Sequence, residues 1–123
     1  MIVGAVNERM EAILSLDVSG PDGRQRSVTA LIDTGYSGFL TLPPDLIQTL
    51  ELPRLGRGAA MLADGTEVGF DVYSGVTDWD GRQRTIQIDQ ADTAPLLGMA
   101  MLEQYDLHIE IRIGGRVTIA PQA

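Results

Sequence analysis

The stretch Ala30-Leu31-Ile32-Asp33-Thr34-Gly35-Tyr36-Ser37-Gly38 constrains this chain more than any other, because it runs an apolar strand straight into a carboxylate and two glycines. Val28 to Ile32 reads as an interior strand, so Asp33 falls at the boundary of the core, where a charge needs a reason. One reason is ordinary: Asp-x-Gly ends strands because Asp caps the local backbone and Gly35 accepts positive φ. The other is chemical, a carboxylate held in a fixed place to move protons. The triplet Asp33-Thr34-Gly35 alone admits both.

Around it the pattern is mostly β. Ile13, Leu14, Leu16 and Val18 alternate in part, Gly20-Pro21-Asp22-Gly23 makes a turn, and Val28 to Ile32 resumes, so a hairpin delivers Asp33. Thr41-Leu42-Pro43-Pro44-Asp45 followed by Leu46, Ile47 and Leu50 predicts a short helix with Pro in its first turn, ending near Leu52-Pro53. Residues 56–63 and 67–79 flank Ala63-Asp64-Gly65-Thr66, whose Asp-Gly pair suits a tight hairpin. After a turn at Asp80-Gly81-Arg82-Gln83-Arg84 comes Thr85-Ile86-Gln87-Ile88-Asp89, a period-two strand. Residues 98–105 lack breakers after Gly98 and predict a second short helix. Leu107, Ile109, Ile111 and Ile113 then alternate with polar residues, and Gly114-Gly115 turns the chain into Val117-Thr118-Ile119, a terminal hairpin.

The pentapeptide Asp22-Gly23-Arg24-Gln25-Arg26 recurs unchanged as Asp80-Gly81-Arg82-Gln83-Arg84. Each copy opens a strand, and each strand leads to a loop followed by a short helix. Turn chemistry explains Asp-Gly but not Arg-Gln-Arg, so the repeat argues for internal duplication.

At 123 residues the chain is expected to form one domain, residues 1–123, with a modest core. Its 9 basic residues, all Arg, face 17 acidic ones for a net charge of −8, which argues against a nucleic-acid partner. The absence of cysteine removes disulfides, thiol nucleophiles and the common zinc sites. No signal-peptide pattern follows Met1 and no apolar run approaches about 20 residues, so the expectation is a soluble, cytoplasmic protein without a membrane partner.

The apolar strand, Asp33-Thr34-Gly35, the following Gly38-Phe39-Leu40 and the later Pro95-Leu96-Leu97-Gly98 together resemble the retropepsin-like aspartic proteases, over most of the chain from about Gly4 to Pro121. The resemblance implies an all-β fold, a closed barrel of acid-protease type with two short helices and an internal pseudo-two-fold duplication. It implies that Asp33 is catalytic, that Thr34 and Gly35 support the catalytic loop, and that Leu97 and Gly98 pack a second loop beside it. Ala63, Asp64, Gly65 and Thr66 become the tip of a flap over the substrate. Tyr36 stands where these enzymes commonly carry Ala or Ser, so its ring would narrow the cleft or touch substrate. Met99 and Ser37 stand where the retroviral enzymes place an Arg and its acidic partner, and the terminal hairpin extends past their chain end. Both departures point to a different dimer arrangement.

Peptide hydrolysis by direct attack of water needs a base for the water and an acid for the carbonyl, which two carboxylates sharing one proton supply. Asp33 is half of such a pair. Asp92-Thr93-Ala94 looks like a decayed copy of the triplet, without the Gly, so the second carboxylate is expected from a homodimer whose axis passes between two Asp33 residues. The implied function is an aspartic endopeptidase acting on polypeptides, with no metal or organic cofactor. The alternative is a catalytically silent, dimeric peptide-binding or scaffolding module. His108 reads as a solvent-facing or interface imidazole, Asp78-Trp79-Asp80-Gly81 as a surface turn rather than a calcium loop, and Trp79, Met99 and Met101 as packing residues.

Overall fold

A computed structural model describes residues 1–123. In chain order it contains β1 (Ile2–Val6), β2 (Ala12–Ser19), β3 (Gln25–Ile32), β4 (Leu40–Leu42), α1 (Pro44–Leu50), β5 (Arg54–Met61), β6 (Glu67–Trp79), β7 (Arg82–Gln90), β8 (Leu96–Leu97), α2 (Met99–Leu102), β9 (Tyr105–Ile109) and β10 (Arg116–Pro121). The ten strands form one sheet in the order β5-β6-β7-β4-β8-β3-β2-β1-β10-β9. An extra β6–β2 pairing, Val18 opposite Thr77 and Ser19 opposite Val76, closes the strands from β6 to β2 into a ring. The expected all-β class with two short helices is what the chain adopts, and closure is confined to this ring, with β5 and the β1-β10-β9 group continuing beyond it.

The repeat marks two equivalent halves. The β2–β3 hairpin turns at the first pentapeptide and the β6–β7 hairpin at the second, and the two hairpins meet at the β2–β6 pairing. Beyond each hairpin the chain makes a loop, a short strand and a short helix, and the short strands exchange sides. β4 runs parallel to β7, Leu40 opposite Ile88, while β8 runs parallel to β3, Leu31 opposite Leu96. The two short strands touch at Leu40 and Leu97, both fully buried. Each such leucine contributes about 2 kcal/mol by leaving water. Val28, Ala30, Ile86 and Ile88 point inward by strand alternation, and Ile47, Leu50, Met101 and Leu102 cap the core from the two helices. Trp79 is buried with its ring edge-on to Tyr105, centroids 5.8 Å apart.

α1 starts at Pro44, where a missing N–H costs nothing, and stops at Glu51, which is left-handed at φ 51°. Four local expectations are corrected. The second helix is one turn, because Gln104 turns left-handed at φ 70° and Tyr105 already opens β9. The alternation through Ile113 does not extend the strand: β9 ends at Ile109, the Glu110 carboxylate accepts the Arg116 N–H at 2.8 Å, and Ile111 and Ile113 stand 72% and 62% exposed. Met101 fills the core as expected, but Met99 is 49% exposed. Arg82 to Arg84 belong to β7 rather than to the turn, which is only Asp80-Gly81, both at positive φ as a two-residue hairpin requires. β1 was not anticipated; Gly4 lets it lie against β2, where a Cβ would come 2.2 Å from the Ile13 carbonyl oxygen.

Candidate active site

The strand exchange fixes the acidic loop. β8 slots between β3 and β4, so the chain leaving β3 at Ile32 must travel round β8 before returning as β4. The Leu31 N–H donates to the Pro95 carbonyl and the Asp33 N–H to the Leu97 carbonyl, both at 2.9 Å. The start of α2 then donates back to the loop: Gly98 N–H to Phe39 carbonyl at 3.0 Å, Met99 N–H to Tyr36 carbonyl at 2.8 Å, and Ala100 N–H to Gly38 carbonyl at 3.1 Å. Amides that a short helix would otherwise leave without partners are thus satisfied by the loop. The approach requires Gly98, since a Cβ there would come 2.3 Å from the Gly38 oxygen and 2.7 Å from the Tyr36 oxygen. Thr41, buried on β4, ties the loops from the other side by accepting the Leu96 N–H on its hydroxyl at 2.9 Å.

Within this frame Asp33 is half-buried and its Oδ1 accepts the Gly35 N–H at 2.9 Å. That is the only hydrogen bond its carboxylate makes, leaving the second oxygen free. Thr34 and Gly35 are exposed at the tip of the loop. Leu97 is buried beneath the loop; its carbonyl accepts the Asp33 N–H, and the Gly98 N–H donates to the Phe39 carbonyl. Asp92 is exposed and far less constrained; beside it the Thr93 hydroxyl donates only to the Ala94 carbonyl, at 3.3 Å. His108 is exposed on β9, the last strand of the sheet.

Tyr36 is not a free arm. Its ring lies over the two glycines, such that a Cβ at Gly38 would come 2.3 Å from its hydroxyl oxygen and one at Gly98 2.5 Å from a ring carbon. Its hydroxyl donates to Asp89 Oδ2 at 2.5 Å. Burial, reinforced by the Asp89 carboxylate it donates to, pushes the phenol well above the usual tyrosine range, so Tyr36 stays a donor at all ordinary pH.

Tyr36 and Asp89 form part of a cleft of about 700 Å3 between the acidic loop and the β5–β6 hairpin. Gly35 to Gly38 line one side, Ala59 to Leu62 and Phe70 the other, and Thr41, Asp89, Gln90, Ala91 and Leu96 complete it. The hairpin tip is built as its sequence suggests: Gly65 is left-handed at φ 87°, the Leu62 N–H donates to the Thr66 carbonyl at 2.7 Å, and Asp64 Oδ1 accepts the Thr66 N–H at 2.9 Å. Hydrogen bonds from the Thr66 hydroxyl and amide hold the Asp64 carboxyl below the usual carboxylate range. Ala63, Asp64, Gly65 and Thr66 are all exposed and the cleft is lined by the residues just before them.

Thr41, Phe70 and Asp89 were missed by the sequence reading. Asp89 carried a usable signal, since Ile86-Gln87-Ile88-Asp89, like Leu31-Ile32-Asp33, ends an apolar strand on a carboxylate. Thr41 and Phe70 carried none, because their contacts depend on pairings distant in sequence.

Chemically, the loop presents one backbone-held carboxylate with a free oxygen beside a cleft large enough for several side chains. No family model and no curated protein matches this sequence. Solved structures do match. EIAV protease complexed with the inhibitor HBY-793 superposes with a TM-score of 0.61 at 19% identity, over 79% of this chain and 89% of that one. A retropepsin-like aspartic protease from Rickettsia conorii superposes with a TM-score of 0.59 at 17% identity, over 99% of this chain and 91% of that one. The fold is retropepsin-like.

Proposed function

We propose that this retropepsin-like chain is one half of a homodimeric aspartic endopeptidase, in which Asp33 from each of two copies forms the catalytic pair. What carries the reading is the Asp33 carboxylate itself: it ends a core strand, is held by the Gly35 N–H, and belongs to a loop whose next residues line the cleft. The likeness to two solved aspartic proteases supports it at the level of fold.

Two carboxylates brought together about a two-fold axis cannot both ionise readily, so one keeps a proton. The ionised Asp33 takes a proton from water as the oxygen attacks the peptide carbonyl carbon. The protonated Asp33 donates to the carbonyl oxygen, giving a tetrahedral diol. Proton transfer to the amide nitrogen and cleavage of the C–N bond then release a carboxylic acid and an amine, and the pair again shares one proton. Thr34, at the loop tip, is assigned to bond across the axis, and the hairpin ending at Ala63–Thr66 to close over an extended polypeptide. No step needs a cofactor.

The test is cleavage of a diverse peptide library, read by mass spectrometry from acidic to neutral pH, by the parent protein and Asp33→Asn, with association state measured in the same samples. Cuts by the parent that vanish in the variant establish the activity. A folded dimer that cuts nothing at any pH overturns it and leaves the peptide-binding module, which a persistently monomeric protein would also favour.

A further inference from the structure

Asp89 is the one acidic or basic residue among those lining the cleft. Its Oδ2 accepts the Tyr36 hydroxyl, while no hydrogen bond reaches Oδ1. None of the chain's ion pairs involves Asp89: Arg24 pairs with Asp22 and Glu51, Arg54 and Arg57 with Asp71, Arg112 with Glu110, and the N-terminal amine with Asp80, while Arg84 stands over the Phe39 ring at 5.9 Å. Asp89 therefore lines the cleft with one carboxylate oxygen that has neither a donor nor a cation on it. The walls before it, Ala59, Ala60, Met61, Phe70 and Leu96, are apolar. Apolar walls ending in a single carboxylate fit a long aliphatic stem with a cation at its tip.

Resting on the endopeptidase reading, we infer that Asp89 is a specificity-determining residue: oriented by Tyr36, it selects polypeptide substrates that place a Lys or Arg side chain in the cleft beside the acidic loop, close to the bond cut. The Tyr36 hydroxyl holds Oδ2 and the ring blocks the space over Gly38 and Gly98, so Oδ1 is left for the substrate cation. Tyr36 is a positioning residue; Asp89 makes the contact.

The experiment uses extended, otherwise apolar peptides in pairs identical except for Lys or Leu, with the variable residue moved through each position in turn. In the parent the ratio of kcat/KM, Lys over Leu, is about tenfold or more at one position, as a charge-assisted hydrogen bond provides, and in Asp89→Asn it falls to near one. Asparagine keeps the size and can still accept from Tyr36, and circular dichroism checks its fold. Tyr36→Phe, which removes only the hydroxyl, keeps the sign of the preference and reduces it. A second readout separates the inference from the reading it rests on: anisotropy of the labelled peptide pairs on Asp33→Asn, with and without Asp89→Asn. Asp33-dependent cutting without a basic preference, or with one that Asp89→Asn leaves intact, overturns the subsite while the protease stands. No cutting, but Asp89-dependent binding of the Lys peptide, overturns the protease and keeps the subsite. Neither cutting nor selective binding overturns both.

Discussion

In the first half of the chain β3 runs into Asp33-Thr34-Gly35, and the Gly35 N–H turns back to the Asp33 carboxylate at 2.9 Å; in the second half β7 runs into Ala91-Asp92-Thr93-Ala94, and nothing turns back to the exposed Asp92. The hairpins before these loops are closely alike. Aligning the two pentapeptides sets Val28 against Ile86 and Ala30 against Ile88, and all four are buried. The short strands after the loops are alike too, with Leu40 and Leu97 facing each other. The halves therefore agree wherever a side chain must fill the core and diverge where a backbone amide must meet a carboxylate. Packing constrains both copies equally, whereas the proposed chemistry uses one loop per chain and leaves the other free to serve as its support.

The sharpest way to break this comparison is to remove each carboxylate in turn. Asp33→Asn is expected to lower peptide cleavage by about a thousandfold or more, since the variant cannot act as base, while Asp92→Asn keeps the parent rate. Equal losses would show that both loops take part in the chemistry. A second contrast concerns the glycines. Gly98→Ala forces a Cβ to 2.3 Å from the Gly38 oxygen and should cost about 3 kcal/mol in urea unfolding, whereas Gly35→Ala meets only the Asp33 Oδ1 at 3.2 Å and should cost under about 1 kcal/mol.

Leu40→Ala and Leu97→Ala test whether the halves share the core evenly. Both side chains are fully buried, so each substitution is expected to cost about 3 kcal/mol, with the two values within about 1 kcal/mol of one another. A strongly unequal pair would mean that one half carries the fold. Tyr36→Phe removes one hydrogen bond linking the first loop to β7 and should cost about 1 kcal/mol, measured the same way.

The smallest effect is a titration at the β5–β6 tip. The Asp64 carboxyl lies below its ordinary value of 3.8, so its contribution is present above that value and is lost as pH falls through the lowered one. The Thr66 amide resonance should therefore titrate with a midpoint below 3.8; a midpoint above it would remove the bond that shapes the tip.

Much of this was legible in the chain because it is local. Period-two alternation exposed β7, the paired prolines announced α1, and Asp-Gly located three hairpin turns. Local pattern also misled where a backbone turn overrode it: Ile111 and Ile113 continue the alternation of β9 but lie in a loop closed by Gly114 at φ 78°, and Glu103-Gln104 read as helix until Gln104 turned left-handed. The candidate site divides the same way. Asp33 and Gly35 are two residues apart and could be read together, but Tyr36 meets Asp89, and Thr41 meets Leu96, only after the strands exchange sides.

That exchange has a consequence for the chain during its synthesis. The Asp33 N–H finds its acceptor on Leu97, and the carbonyls of Tyr36 and Gly38 find their donors on Met99 and Ala100. A ribosome that has released only the first half has made every atom of the acidic loop and its internal Gly35-to-Asp33 bond, but none of the β8 and α2 partners that hold the loop in place. Nascent fragments ending before Leu96 thus carry the carboxylate without the frame around it, and the loop can be held as described only after Ala100 has emerged.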